Sequence, residues 1–149
     1  MTQAPEKPLA ADLTLFHVRS ATPADAPQVQ SLLAASGWQH RLKSIGWLAE
    51  LIARSQRTAV AVAPEAQVLG FLRAITDELS NGYLSMLVVA EAHRRRGIGT
   101  ALVHTVTAGL PEVTWVLQAG RAGAEPFFAS LGFVHAPLAM QLARRQSVI

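Results

Sequence analysis

The sequence predicts a mixed α/β (α+β) domain, a central mixed sheet with helices on both of its faces. Three observations predict it. Apolar runs of strand length alternate with segments of helical spacing along the 149 residues. The elements read in the order β-α-α-β-β-β-α-β-α-β, which calls for two helical layers around one sheet. The run Tyr83–Val89 is apolar at nearly every position, as a strand covered on both faces must be.

Residues 1–14, with Pro5 and Pro8 among small and polar residues, read as a flexible leader, and residues 15–149 as a single domain. Leu15 to Arg19 predicts a first strand. Thr22 then suits a helix N-cap, with Pro23 at the first helical position and Asp25 in the first turn. Ala26, Val29, Leu32 and Leu33 follow at helical spacing until Gly37 ends the run. Leu42 to Ser55 predicts a second helix with Leu48, Leu51 and Ile52 facing the core. Thr58–Ala63, Val68–Thr76 and Tyr83–Val89 read as a meander, with the turn Asp77–Gly82 before the last.

Gly97 to Gly109 predicts an amphipathic helix with Ile98, Ala101, Leu102, Thr105 and Val106 on one side, and Pro111 prevents its extension. Val113–Gln118 reads as a strand and Ala124–Leu131 as a short helix capped by Gly132. Phe133 to Ala143 predicts one or two last strands, broken near Pro137.

Half the residues are hydrophobic and 15% are charged, so a sizeable core can form without disulfides. There is no cysteine, which excludes a thiolate zinc site and a cysteine nucleophile and fits a cytoplasmic protein. The five histidines, His17, His40, His93, His104 and His135, have no metal-ligand spacing, so no metal is expected and each reads as a surface residue. No apolar run is long enough to span a membrane, and no secretory signal is evident. The net charge of +3 would draw an anionic ligand. Apart from Arg94–Arg96 and Arg144–Arg145 the basic residues are scattered, without interleaved aromatics, so nucleic acid is not expected as a partner.

Most of the functional information lies between Tyr83 and Leu102. An apolar strand runs into a basic turn, and glycines then open a helix. Arg94, Gly97 and Gly99 form the pattern Arg-x-x-Gly-x-Gly. Glycines let a backbone approach an anion closely, and the unpaired N–H groups of a new helix point at it. Arg94, Arg95 and Arg96 add forked donors suited to phosphate. A Walker loop is excluded because no lysine follows Gly99, and a dinucleotide fingerprint because Leu102 stands where a small residue is needed.

This stretch resembles the signature of the GNAT superfamily of N-acetyltransferases. Val18–Ala26 is similar to the family's first strand and helix entry, and Ala124–Phe133 to its last helix and following Gly-Phe. The resemblance implies a central mixed, mostly antiparallel sheet flanked by helices. It implies acetyl-coenzyme A as acetyl donor, its pyrophosphate held by Arg94, Arg95, Arg96, Gly97, Ile98, Gly99 and Thr100. Backbone groups of Leu87, Val88 and Val89 would hold the pantetheine arm, and a backbone N–H would polarise the thioester carbonyl. The acceptor would be a small-molecule or peptide amine attacking directly in a ternary complex, and a homodimer is left open.

The catalytic groups are less legible. Where relatives commonly carry a tyrosine that protonates the departing thiolate, this chain has Phe128, and its only tyrosine is Tyr83. Near the fourth strand, where relatives place a carboxylate base, stand Ser85 and Met86. Ser85 and Glu78 are the candidates, although Asp77 and Glu78 also read as plain turn residues. Arg121 could reach a cofactor phosphate or simply be solvated. Trp38 and Trp47 could line an acceptor pocket or belong to the core or its rim. The missing acid and base leave a second function open, a non-catalytic acyl-coenzyme A binding or sensing protein.

Overall fold

The structure is a computed structural model that describes residues 15–145. The leader expected over 1–14 lies outside the described residues. The chain divides into two compact units, Met1–Gln118 and Ala119–Ile149.

The first unit holds a five-stranded sheet in the order β1-β2-β3-β4-β5. The strands are β1 (His17–Arg19), β2 (Arg57–Val62), β3 (Val68–Thr76), β4 (Asn81–Val89) and β5 (Thr114–Val116). Neighbours pair antiparallel except β4 and β5, which are parallel. Helices α1 (Ala26–Ala35) and α2 (Ile45–Arg54) cover one face, and α3 (Ile98–Thr107) packs on β2 and β3. The fold class is therefore the expected one, a mixed, mostly antiparallel sheet with helices on both faces.

Local chemistry explains the boundaries. Before α1, Asp25 accepts the Thr22 backbone N–H at 2.8 Å and a bidentate pair from the Arg19 guanidinium at 2.8 Å on each oxygen. These bonds close a 3-10 turn over Pro23–Asp25 and tie β1 to the helix entry. The Ser44 hydroxyl accepts the Trp47 N–H at 3.1 Å and caps α2, satisfying one of the donors a helix start leaves free. Between β3 and β4, one oxygen of Asp77 accepts three backbone N–H groups, from Leu79, Ser80 and Asn81.

The core under α1 and α2 joins Val29, Leu33, Leu48 and Ile52 to Val60, Phe71, Met86 and Val88. Trp38 and Trp47 are partly buried against this cluster, and the Lys43 ammonium lies 5.7 Å from the Trp47 ring centre. Phe71, Leu33 and Leu48 are fully buried. On the opposite face Ile98, Leu102, Val103 and Val106 of α3 are buried. There Gly70 is required by close approach, because a Cβ on it would lie 2.9 Å from Ile98 Cγ2 and 3.0 Å from Leu102 Cδ1.

The second unit contains α4 (Ala124–Ser130). Phe128 packs edge-on against Phe127 and Phe133, with ring centres 5.0 and 5.4 Å away. The last strands expected over Phe133–Ala143 are not present among the described residues. Val134, Leu138, Met140 and Leu142 are instead 88–98% exposed. Their alternation matches a strand, but a strand also needs a neighbouring edge to satisfy its N–H and C=O groups, and here none is paired with it.

No helix among the described residues is long and apolar enough to cross a membrane. No described group of His, Asp and Glu side chains could hold a metal ion.

Candidate active site

Two backbone features and one face of the sheet converge on β4. The first feature is a seam that stops early. β4 pairs with β5 only through Asn81, Gly82 and Tyr83, although β4 itself continues to Val89. Among the described residues, Leu84 to Val89 have no strand partner on that side. Leu87, Val88 and Val89, expected to bind the donor through their backbones, all fall in this open stretch.

The second feature is a kink opposite β3. Phe71 pairs with Val88 and Arg73 with Ser85, so β4 carries one extra residue between these pairs. Met86 takes up the bulge with φ +62, a left-handed conformation unusual for a residue with a side chain. Such strain persists where the surroundings over-determine it, and Met86 is held by burial at 3% exposure.

The basic turn follows directly. A 3-10 turn over Glu91–His93 leaves β4, and Arg94 returns its Nε to the Val89 carbonyl at 3.2 Å. Arg95 (φ +63) and Gly97 (φ +83) are both left-handed, and Gly97 is the N-cap of α3. The Gly97 carbonyl accepts the Ala101 N–H at 3.0 Å, so the N–H groups of Gly97, Ile98, Gly99 and Thr100 have no intrahelical acceptor. Nothing lies within 4 Å of where a Gly97 Cβ would stand. The turn is an open, positively charged cradle of backbone donors of the kind that receives a phosphate.

A cleft of about 290 Å³ adjoins this turn, with His93, Arg96, Glu65 and Leu69 in its lining. His93 is half-buried rather than a plain surface residue, and its Nδ1 is enclosed without a hydrogen-bond partner among the described residues. A larger cleft of about 420 Å³, lined in part by Arg57, Glu78 and Thr105, lies toward the other end of α3. Its size does not make it the better candidate, since it has neither the glycine turn nor the open strand edge.

The two catalytic candidates are not brought together. Ser85 lies half-buried in β4, in register with Arg73 and next to the bulge. Glu78 sits in the β3–β4 turn with its carboxylate 3.1 Å from Arg57 Nε. Arg57 in turn donates to the carbonyls of Val106 and Ala108 at 3.0 and 2.7 Å, so Glu78 is anchored at the C-terminal end of α3. A ten-residue helix separates that end from Gly97 by about 15 Å.

Sequence reasoning missed Arg73 and Arg41. Arg73 lies in β3 among buried residues, is itself 8% exposed, and donates from Nε to Ser55 Oγ at 2.9 Å. Burial, then the nearby Arg41 charge, hold its pKa below that of a free arginine. The signal was present: a lone arginine interrupts the otherwise apolar run Val68-Leu69-Gly70-Phe71-Leu72-Arg73-Ala74-Ile75. The left-handed state of Met86 left no such trace, since methionine has no preference for it.

Comparison with known proteins agrees with this geometry. Residues 45–135, more than half the chain and including the glycine turn, match the family model described as an acetyltransferase (GNAT) domain. A candidate acetyltransferase from Deinococcus radiodurans R1 is similar at 26% identity and a TM-score of 0.71, covering 97% of this chain and 94% of that one. A GNAT-family acetyltransferase from Streptococcus pneumoniae TIGR4 superposes with a TM-score of 0.73 at 21% identity, covering 89% of this chain and 100% of its own. A ribosomal-protein-alanine N-acetyltransferase from Brucella melitensis biovar Abortus 2308 does so at 0.66 and 17% identity, covering 89% and 100%. No curated protein matches. With the family signature on a turn, an open strand edge and a sheet that all agree, the chain belongs to the GNAT acetyltransferase family and is an N-acetyltransferase.

Proposed function

We propose that the protein transfers an acetyl group from acetyl-coenzyme A to a primary amine by direct attack in a ternary complex. The observation that carries this reading is the placement of the open stretch of β4 immediately before the glycine turn. One end offers unpaired main-chain groups to an amide-bearing arm, and the other offers free N–H groups and arginines to a pyrophosphate. We also infer that residues 15–149 act as one catalytic domain, because the family match runs across the boundary between the two compact units.

In this reading the backbone of Leu87–Val89 holds the pantetheine arm, and Arg94–Thr100 hold the phosphates. A main-chain N–H in the open stretch polarises the thioester carbonyl, where negative charge develops as the amine nitrogen attacks. The C–N bond forms, the C–S bond breaks, and the sulfur leaves with its electron pair. A thiol pKa of about 8.5 makes the thiolate a tolerable leaving group, so Phe128 in place of a tyrosine does not forbid the reaction. The amine must arrive neutral or lose a proton to water. Ser85, on the sheet face beside the bulge, is the side chain we assign to accept a hydrogen bond from the attacking nitrogen, while the proton itself passes to water. Glu78 is the weaker candidate because Arg57 already engages its carboxylate.

Calorimetric titration with acetyl-coenzyme A and with coenzyme A tests the reading. Micromolar binding is expected, and it should vanish in the double variant Gly97→Glu, Gly99→Glu, which puts two carboxylates into the cradle. Undiminished binding by that variant, or none by the wild type, would overturn it.

A further inference from the structure

β3 carries a cation that the fold leaves without a counter-ion. Arg73 is 8% exposed in a strand whose neighbours Leu72 and Ala74 are fully buried. Its Nε is spent on the neutral Ser55 hydroxyl at 2.9 Å, and no described carboxylate pairs with its guanidinium. Arg41, half-buried at the end of a 3-10 turn over Gln39–Arg41, also lacks a described counter-ion. Its Nε is buried without a hydrogen-bond partner among the described residues. Trp38 and Leu42, which flank this turn, pack on the cluster that contains Phe71 and Met86. The turn therefore lies over the sheet face on which Arg73 stands, close enough for the two positive charges to oppose each other.

A buried guanidinium without an anion is costly, and a second cation beside it raises the cost. A hydrophobic residue would serve the fold better at position 73. An arrangement of this kind is complete when an anion enters it. Arg73 is in register with Ser85, next to the Met86 bulge and the open stretch of β4. The geometry points to an acceptor that carries its own carboxylate: Arg73 and Arg41 hold that carboxylate, and the amine is left to meet the acyl group beside Leu87. The planar donors remaining on a guanidinium fit the two oxygens of a carboxylate. The substrate class is thus a small amino acid or a related carboxylate-bearing amine. This rests on the donor site proposed above.

The test uses the full chain with acetyl-coenzyme A and follows thiol release with the twenty amino acids, their methyl esters, the corresponding decarboxylated amines, and phosphoethanolamine. At least one amino acid should be turned over with a kcat/KM about 30-fold or more above its ester and its amine, the size expected for a buried charge pair. Arg73→Met should erase that preference mainly through KM and leave coenzyme A binding by calorimetry unchanged. Arg41→Gln should reduce the preference in the same direction. In thermal shift measurements with coenzyme A present, the preferred amino acid should protect the wild type but not Arg73→Met. Equal use or equal protection by esters and amino acids, a preference that survives in Arg73→Met, or better use of phosphoethanolamine would overturn the carboxylate assignment while the donor site stands. Failure of the wild type to bind coenzyme A would instead overturn the donor site, and this inference with it.

Discussion

At Gly70 the sheet and the helix that carries the glycine turn lie in close contact. Replacing it by alanine would put a Cβ 2.9 Å from Ile98 Cγ2, 3.0 Å from Leu102 Cδ1 and 3.2 Å from the Val88 carbonyl oxygen. Carbon atoms settle at about 3.5–4.0 Å, so both methyl contacts fall short by roughly 0.5–1 Å. The side chains cannot swing freely aside, because Ile98 and Leu102 are 1% and 0% exposed. Overpacking of a full core costs about 1–3 kcal/mol. Loss of glycine's freedom in the unfolded chain offsets about 0.4–1 kcal/mol. The net expectation is a loss of about 1–2 kcal/mol, or a fall in Tm of roughly 2–8 °C for a chain of this size. Ile98 is the first residue of α3, so the strain should also displace the cradle and weaken coenzyme A binding on the order of tenfold, or about 1.4 kcal/mol. Urea unfolding followed by tryptophan fluorescence measures the first effect and calorimetry the second. Shortening the opposing side chain in Gly70→Ala, Ile98→Ala should relieve part of the clash, with a favourable coupling above about 0.5 kcal/mol. An alanine variant as stable as the wild type, or a strictly additive pair, would refute the packing argument.

Two further predictions concern the frame of the sheet. Asp25 is nearly buried, and the Arg19 guanidinium, helped by the Thr22 N–H, holds its carboxyl below the usual carboxylate range. Its contribution is therefore full above the unfolded value of about 4 and is lost as pH falls through the lower folded value. Asp25→Asn should cost about 1–3 kcal/mol at neutral pH. That deficit should shrink toward zero in urea titrations carried into the acid range, and a constant deficit across pH would contradict the ion-pair origin. Ser44→Ala removes the cap on α2 and should lower stability by about 0.5–2 kcal/mol, read from the urea midpoint. An unchanged midpoint, with unchanged amide exchange at Trp47, would show that the cap is dispensable.

Apolar periodicity and punctuation carried most of the fold into the sequence. Leu48 and Ile52 mark the buried side of α2, and the run Tyr83–Val89 marks a strand covered on both faces. The glycine turn was legible because its chemistry needs specific residue types at fixed spacing. The segment after Gly132 misled, since Leu138, Met140 and Leu142 alternate like a strand and alternation says nothing about whether an edge waits to receive it. Arg73 was hidden by its surroundings: a single charge in an apolar run reads as noise until its lack of a partner is visible. The bulge at Met86 depends on how β3 and β4 register over distance, which no local pattern records.

The interrupted seam between β4 and β5 also bears on how the chain avoids its own copies. Leu84-Ser85-Met86-Leu87-Val88-Val89 has no charge, no proline and no glycine, and its outer edge is not zipped to β5. Such a segment is the usual raw material for strand addition and cross-β aggregation. The extra residue at Met86 twists the edge and puts its N–H and C=O groups out of step with a flat incoming strand. The kink beside this unpaired edge thus spoils it as a template, and a deletion that straightened the strand is expected to turn the edge into an aggregation seed.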